Sequence, residues 1–299
     1  MREVFVPKSS TELWDMWGSY PNAQVYAGGT DFLVQLRNRK RDASVIICME
    51  RLEAFKGVQQ QQNMIRIGAC TTLSHVLKEP VIRKHIPVLA TAIRRLGSPL
   101  IRNMATIGGN ICTASPAGDT LPPLYILDAV LEICSEQGIR HIALKDFIHG
   151  PGQTALMKNE ILSCINVKIP QEYQIHHFEK VGKRKAMTCS VASLAGLLKL
   201  DHKGVIKGVR LAWGAVGPRV LMSEKVERSL KGMQLSAESL ENAVQQGTEI
   251  FSPIDDIRAS ADYRRKIAGN LMRRLVRHVQ PDAGYQIRPD TRIRQPENI

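Results

Sequence analysis

Residues 105–128 read ATIGGNICTASPAGDTLPPLYILD, and the rest of the chain is best read outward from them. Gly108 and Gly109 lack a Cβ, so the backbone there can turn sharply or let a ligand reach its N–H groups. Asn110 tolerates left-handed geometry, and successive exposed N–H groups make a concavity suited to phosphate. Asp119 precedes an apolar run; it either caps the helix that starts near Leu121 or contacts a ligand. A shorter stretch of the same character, VYAGGTD, covers residues 25–31 and runs into a helix-like segment at 32–39. There the turn at Gly28-Gly29 precedes an expected N-cap at Thr30, and a helix N-terminus attracts phosphate. Each glycine pair alone is more often a plain turn. Together, about 80 residues apart, they suit a ligand with two phosphates. Neither matches GxGxxG or GxxxxGK[ST], so a nucleotide site here belongs to another architecture.

With AGGTD followed by an apolar helix, and IRNMATIGGNICTASPAGD followed by an apolar LDA segment, the chain resembles the FAD-binding subunits of molybdenum hydroxylases. That family includes xanthine dehydrogenase, carbon monoxide dehydrogenase and nicotinate dehydrogenase. The resemblance spans residues 2–280, nearly the whole chain, and the second motif is long and specific. It implies an α+β chain: a two-subdomain FAD-binding fold of the vanillyl-alcohol-oxidase/PCMH type, then a C-terminal three-stranded antiparallel sheet packed with helices. The implied boundaries are 1–55 and 56–172 for the two FAD-binding subdomains, 173–282 for the C-terminal domain, and 283–299 for a polar tail. By the same resemblance, Val25, Tyr26, Ala27, Gly28, Gly29, Thr30 and Asp31 wrap the pyrophosphate of a non-covalently bound FAD. Thr106, Ile107, Gly108, Gly109 and Asn110 form the opposing clamp, and Thr113 and Asp119 hold the ribityl and nucleotide portion. Leu162 and Lys180 match positions near the isoalloxazine. Lys180 would then stabilise negative charge on reduced flavin; the alternative is an exposed strand lysine. After Lys183-Arg184, relatives often carry an acidic residue followed by Ile-Ala; Lys185-Ala186-Met187 departs from that pattern. The implied partners are a small 2Fe-2S subunit and a large molybdopterin subunit, in a dimer of heterotrimers, with NAD+ or another electron acceptor.

Composition narrows the alternatives. A chain of 299 residues with 43% hydrophobic and 23% charged residues is long enough for about two domains and an ample core. The net charge of +13 is strongly basic, which fits nucleic acid, an anionic membrane or an acidic protein partner. Aromatic residues make up only 5%, and there is no helix-turn-helix, zinc-finger or RNP signature, so a nucleic-acid reading is the weaker one. A stand-alone flavin oxidase is the other rival; the roughly 120 residues after the flavin region are few for a substrate cap. Cys48, Cys70, Cys112, Cys134, Cys164 and Cys189 are scattered without a CxxC pair, which reads as free thiols in a reducing compartment rather than an iron–sulfur insertion. The N-terminal residues lack a signal-peptide core, and the longest apolar run, 191–198, is too short for a bilayer. Cytoplasm is the expected location.

The order of elements follows from periodicity. Strands are expected at 3–6, 24–26 and 44–48 around two helices, then paired strands at 58–62 and 64–68. Helices follow to residue 96, and strands at 129–134, 139–143 and 161–169. Strands at 175–181, 191–200 and 205–216 form an antiparallel set, with a turn at Asp201-His202-Lys203-Gly204. Helices close the chain at 223–231, 236–248 and 261–279. In the last, Tyr263, Ile267, Leu271 and Leu275 read as a buried stripe, while Arg264, Arg265, Arg273, Arg274 and Arg277 read as a solvated basic face or a subunit contact.

Overall fold

The computed structural model describes residues 2–279; the tail expected at 283–299 lies outside the described residues. Three sheets of three or more strands follow one another along the described residues, with a two-stranded hairpin beside the second. The first contains β1 (Glu3–Phe5), α1 (Ser10–Ser19), β2 (Gln24–Tyr26), α2 (Phe32–Arg37) and β3 (Val45–Cys48). Its strands are parallel, in the order β1-β3-β2, with Val25 beside Ile47 and Tyr26 beside Cys48. A strand flanked on both sides must be apolar throughout, and Ile46, Ile47 and Cys48 are all buried. Leu13 and Trp17 of α1 close over it. The cap of α1 is Ser9, whose hydroxyl accepts the Glu12 N–H.

The second sheet is built from β4 (Val58–Gln61), β5 (Met64–Gly68), then a run of short helices. These are α3 (Leu73–Lys78), α4 (Pro80–His85), α5 (Pro87–Arg95), α6 (Pro99–Met104), α7 (Ile107–Cys112) and α8 (Leu121–Ile126). Strands β6 (Val130–Ser135) and β7 (Gly138–Ala143) follow, then α9 (Leu144–Phe147), a small hairpin of β8 (Ile148–Gly150) and β9 (Gln153–Thr154), and β10 (Ile161–Lys168). The order is β4-β5-β10-β6-β7, antiparallel at every step. Alternate residues Ile65, Ile67, Leu131, Ile133, Ile165 and Val167 point to one core shared with the helices, as a strand period of two requires. Proline opens α4, α5 and α6 at a position where its missing N–H has no intrahelical partner to lose.

The third sheet comprises β11 (Ile175–Val181), β12 (Ala192–Leu200) and β13 (Ile206–Gly214), in that order and antiparallel. Helices α10 (Glu224–Leu230), α11 (Ala237–Thr248) and α12 (Ala261–Arg273) follow, and a 3-10 turn at Arg274–His278 replaces the last part of the helix expected over 261–279. Strand β12 is apolar on both faces because both are covered. Ala195 and Leu197 join the core of the second sheet, while Leu194 and Leu198 join Val244, Leu271 and Leu275. The apolar stripe expected over 261–279 holds at Ile267, Leu271 and Leu275, which pack in this core, and is corrected at Tyr263. Tyr263 is 48% exposed, whereas Arg264, Ala268 and Met272 are buried with Leu271. A four-residue step overshoots the 3.6-residue turn, so a line of such residues rotates off any one face within three steps. The basic-face reading fails at Arg264, which is 3% exposed.

Candidate functional site

The VYAGGTD loop connects β2 to α2. The cap of α2 is Asp31 and not Thr30, and its side chain makes no capping hydrogen bond; the first helical bond runs from the Leu33 N–H to the Gly29 carbonyl. Among the described residues, the backbone N–H groups of Gly28, Gly29, Thr30 and Asp31 therefore find no protein acceptor. Such a row costs free energy when dry and is a ready anion receptor. Two glycines make the path possible. Gly29 has φ +69, a conformation side chains resist, and a Cβ on Gly28 would lie 1.8 Å from the Met104 carbonyl oxygen.

The second glycine pair works differently. It is not a turn: Gly108, Gly109 and Asn110 are helical, within α7, and Thr106 is the cap, its hydroxyl accepting the Gly109 N–H at 3.1 Å. The Ile107 and Gly108 N–H groups donate to Thr71 and Ala69 carbonyls at 3.0 and 2.9 Å. A Cβ on Gly108 would meet the Ala69 side chain at 2.6 Å, so this glycine serves close packing. The expectation of free N–H dipoles from both loops is corrected: the first loop presents them, the second spends them internally and offers a surface without side chains.

The two segments face each other across a cavity of about 390 Å³. Val25, Tyr26, Ala27, Gly28, Gly29, Thr30 and Asp31 line one side; Thr106, Gly109, Asn110 and Thr113 line the other. The Thr113 hydroxyl spans them, donating to Asp31 at 3.3 Å and to the Gly109 carbonyl at 3.0 Å. Ile107 and Gly108 lie buried behind this wall. Sequence reasoning missed Phe32 and Arg41, which also line it; Phe32 stacks on Tyr26 with centroids 5.3 Å apart, and the Arg41 guanidinium lies 5.8 Å over the Phe32 ring. Burial and a hydrogen bond with Cys48 push the Tyr26 phenol up, so it stays neutral. A larger groove of about 920 Å³, lined by Tyr173, Arg210 and Glu227 among others, lies elsewhere and contains none of the expected site residues.

Asp119 and Lys180 are not on the cavity wall but form a buried pair, Lys180 Nζ donating to Asp119 Oδ2 at 2.5 Å. Lys180 also donates to the Thr188 carbonyl at 3.0 Å. Its side chain is 7% exposed, which excludes the exposed-strand alternative. Asp119 does not cap α8 either, since the cap is Thr120. Ser190, fully buried, donates its hydroxyl to Asp119 Oδ1 at 2.6 Å. Burial pushes the Asp119 carboxyl up, against the pull of Lys180 and Ser190. The Thr120 hydroxyl donates to Asn110 at 2.6 Å and so links this cluster to the cavity wall. Leu162 is 4% exposed in the core, beside a bulge in β10. No sequence signal marked Ser190; it follows the Lys185-Ala186-Met187 departure.

A row of free N–H donors opposite a bare glycine surface suits a dinucleotide diphosphate, and the neighbouring hydroxyls suit its polyol arm. Residues 1–172 match the FAD binding domain in molybdopterin dehydrogenase, and residues 177–279 match the CO dehydrogenase flavoprotein C-terminal domain. The nicotinate dehydrogenase FAD-subunit of Eubacterium barkeri is 32% identical over 80% of this chain and 82% of its own. The xanthine dehydrogenase FAD-binding subunit of Escherichia coli O157:H7 is 30% identical over 89% and 92%. A solved carbon monoxide dehydrogenase chain from Hydrogenophaga pseudoflava superposes with a TM-score of 0.86 at 27% identity, covering 91% of this chain and 95% of that one. The fold is thus the FAD-binding fold followed by the flavoprotein C-terminal sheet, and the chain belongs to the family of FAD-binding subunits of molybdenum hydroxylases.

Proposed function

We propose that this chain binds FAD non-covalently and serves as the electron-transfer subunit of a heteromeric molybdenum hydroxylase, most like xanthine dehydrogenase. Bound FAD supplies chemistry that can accept electrons singly and deliver two together, linking 2Fe-2S clusters on a small partner to NAD+ or another acceptor. Substrate hydroxylation would belong to a large molybdopterin partner, in a dimer of heterotrimers in the cytoplasm. Functional boundaries at 1–55, 56–172 and 173–282 are part of the same reading. No described helix is long and apolar enough to cross a membrane.

The carrying observation is the row of N–H groups at Gly28–Asp31 without protein acceptors, facing Gly109 and Thr113 across the cavity. In this reading Val25 to Asp31 hold the diphosphate by backbone dipoles, and Thr106, Gly109 and Asn110 close over it, with Ile107 and Gly108 as the packed support behind. Thr113 and Asp119 bond the polyol arm. Two of the roughly four acceptor positions of an Asp119 carboxylate are taken by Lys180 and Ser190, which leaves room for ligand hydroxyls. Lys180 and Leu162 stand at the ring end, where a buried cation favours negative charge on the reduced ring. The test is direct. The purified chain should be yellow, and acid should release FAD and not FMN. Gly109→Leu should remove the flavin while the fold persists, because the cavity wall gains a bulky side chain and the one atom a Cβ would press on, the Thr106 hydroxyl at 2.9 Å, is a side-chain end that can turn aside at the cost of its cap bond. Full flavin occupancy in that variant would refute the diphosphate assignment. Co-purification should recover a small cysteine-rich subunit and a large one; an active monomer with its own organic substrate would favour a stand-alone oxidase instead. A colourless chain with salt-dependent nucleic-acid binding would point to the basic-protein reading.

A further inference from the structure

Lys180 is one of two buried donors that meet Asp119; the other, Ser190, leads to a residue far along the chain. Val191, next to Ser190, donates its N–H to the Val181 carbonyl at 2.7 Å, which ties the residue after Ser190 to the residue after Lys180. Ala215 donates its N–H at 2.8 Å to the Pro116 carbonyl, three residues before Asp119. Ala215 also holds φ +63, a conformation that a non-glycine residue keeps only when its surroundings impose it. Both segments converge on Arg264 of α12. One guanidinium nitrogen, Nη1, donates to the Val191 carbonyl at 2.8 Å and the Ala215 carbonyl at 3.3 Å, while Nη2 donates to Asp256 at 2.6 Å. Burying a guanidinium is costly unless it is paired and bonded, and only its planar fork reaches three acceptors on three segments.

We propose that Ser190 and Arg264 are positioning residues of the flavin site: Arg264 pins the backbone behind Ser190 and behind the Asp119 loop, and the Ser190 hydroxyl so placed orients the Asp119 carboxylate that holds Lys180. This rests on the reading of Asp119 and Lys180 given above. The direction of donation is fixed, because an ionised carboxylate only accepts hydrogen bonds. A fully buried hydroxyl needs a partner, and Asp119 is the one it has. A donor aimed at the charged carboxyl favours the charged form, against the upward push of burial.

The test compares full-length Ser190→Ala, Arg264→Lys, their double variant and Asp119→Asn. Two readouts are used: the Asp119 titration followed by carboxyl 13C NMR without FAD, and the FAD dissociation constant by fluorescence titration. Ser190→Ala should raise the Asp119 pKa and weaken FAD about tenfold, the loss expected for one hydrogen bond to a charged group, with circular dichroism unchanged. Arg264→Lys should act in the same direction, and the double variant should bind FAD no worse than the weaker single one, since both act through one chain of contacts. An unchanged Asp119 titration and FAD affinity in Ser190→Ala, alongside weakened binding in Asp119→Asn, overturns the positioning role and leaves the flavin reading intact. Additive losses in the double variant overturn it too. Wild-type FAD affinity in Asp119→Asn instead removes Asp119 from the flavin site, and the flavin role of both residues with it.

Discussion

Gly28→Ala is the smallest change that should dismantle the cavity. The added Cβ would start 1.8 Å from the Met104 carbonyl oxygen and 2.7 Å from its carbon, both backbone atoms that no rotamer can move away. To go from 1.8 Å to ordinary contact at 3.4 Å, the glycine loop and the chain leaving α6 must part by about 1.6 Å. The Thr113–Asp31 hydrogen bond, at 3.3 Å, does not survive such a displacement. A row of N–H donors shifted by that distance takes a bonded diphosphate oxygen from roughly 2.9 Å to beyond 4 Å. If two of the four donors are lost, each worth about 1.5–3 kcal/mol toward a charged acceptor, FAD affinity should fall by roughly a hundredfold to ten-thousandfold. Overpacking alone should lower the stability of the FAD-free chain by about 1–3 kcal/mol. The assay is fluorescence titration with FAD beside thermal unfolding without it. Gly18→Ala is the control: nothing lies within 4 Å of its Cβ and it sits in α1, where alanine should stabilise by up to about 1 kcal/mol without touching FAD. Gly28→Ala that binds FAD within threefold of wild type would refute both the close-approach argument and the role of the row.

Lys180→Met should destabilise the chain by roughly 3–5 kcal/mol at neutral pH, because it leaves Asp119 buried with Ser190 as its one donor. Because burial raises the Asp119 carboxyl above its unfolded value, that loss should shrink as the pH falls toward about 4 and be gone below it, where the unfolded carboxyl also binds a proton; a pH-independent loss in urea unfolding contradicts it. At Asp256 burial acts upward, but hydrogen bonds from the Arg258 and Ala259 N–H groups and from Arg264 prevail and hold the carboxyl at about 2. Its contribution to stability should be complete above about pH 4 and lost as the pH falls toward 2, and Asp256→Asn should flatten that limb of the stability curve. On α12, Leu271→Ala should cost about 2–5 kcal/mol, as the four-residue spacing expects, and Tyr263→Ala under about 0.5, against it; chemical denaturation of the two variants decides it.

What was legible in the sequence was local. The antiparallel strands β11 to β13 were readable because β12 is largely apolar, broken only by Ser193 and Lys199, and Asp201-His202-Lys203-Gly204 marks the turn. The cavity was readable as two glycine pairs because residues without Cβ are tolerated only where something else comes close. Which partner comes close is not written locally. Gly28 answers to Met104, some 75 residues away, and Gly108 to Ala69, so two motifs that look alike do opposite things: one leaves its N–H groups open, the other satisfies its own to build a wall. Arg264 was hidden for a related reason. A cation on a helix reads as solvent-facing until the Val191 and Ala215 carbonyls, just outside β12 and β13, and Asp256 supply acceptors for it, and no spacing along α12 can announce acceptors contributed by other segments. The same logic explains why Lys180 looked ambiguous. Its position on an alternating strand allowed exposure, and only the arrival of the Asp119 loop from the preceding sheet makes burial of that charge affordable. The glycine loops are therefore local motifs, whereas the charged groups behind them are properties of how the second and third sheets meet. Substitutions of Ser190 and Arg264, which hold that junction from behind Asp119, should alter FAD affinity without removing a contact to the flavin.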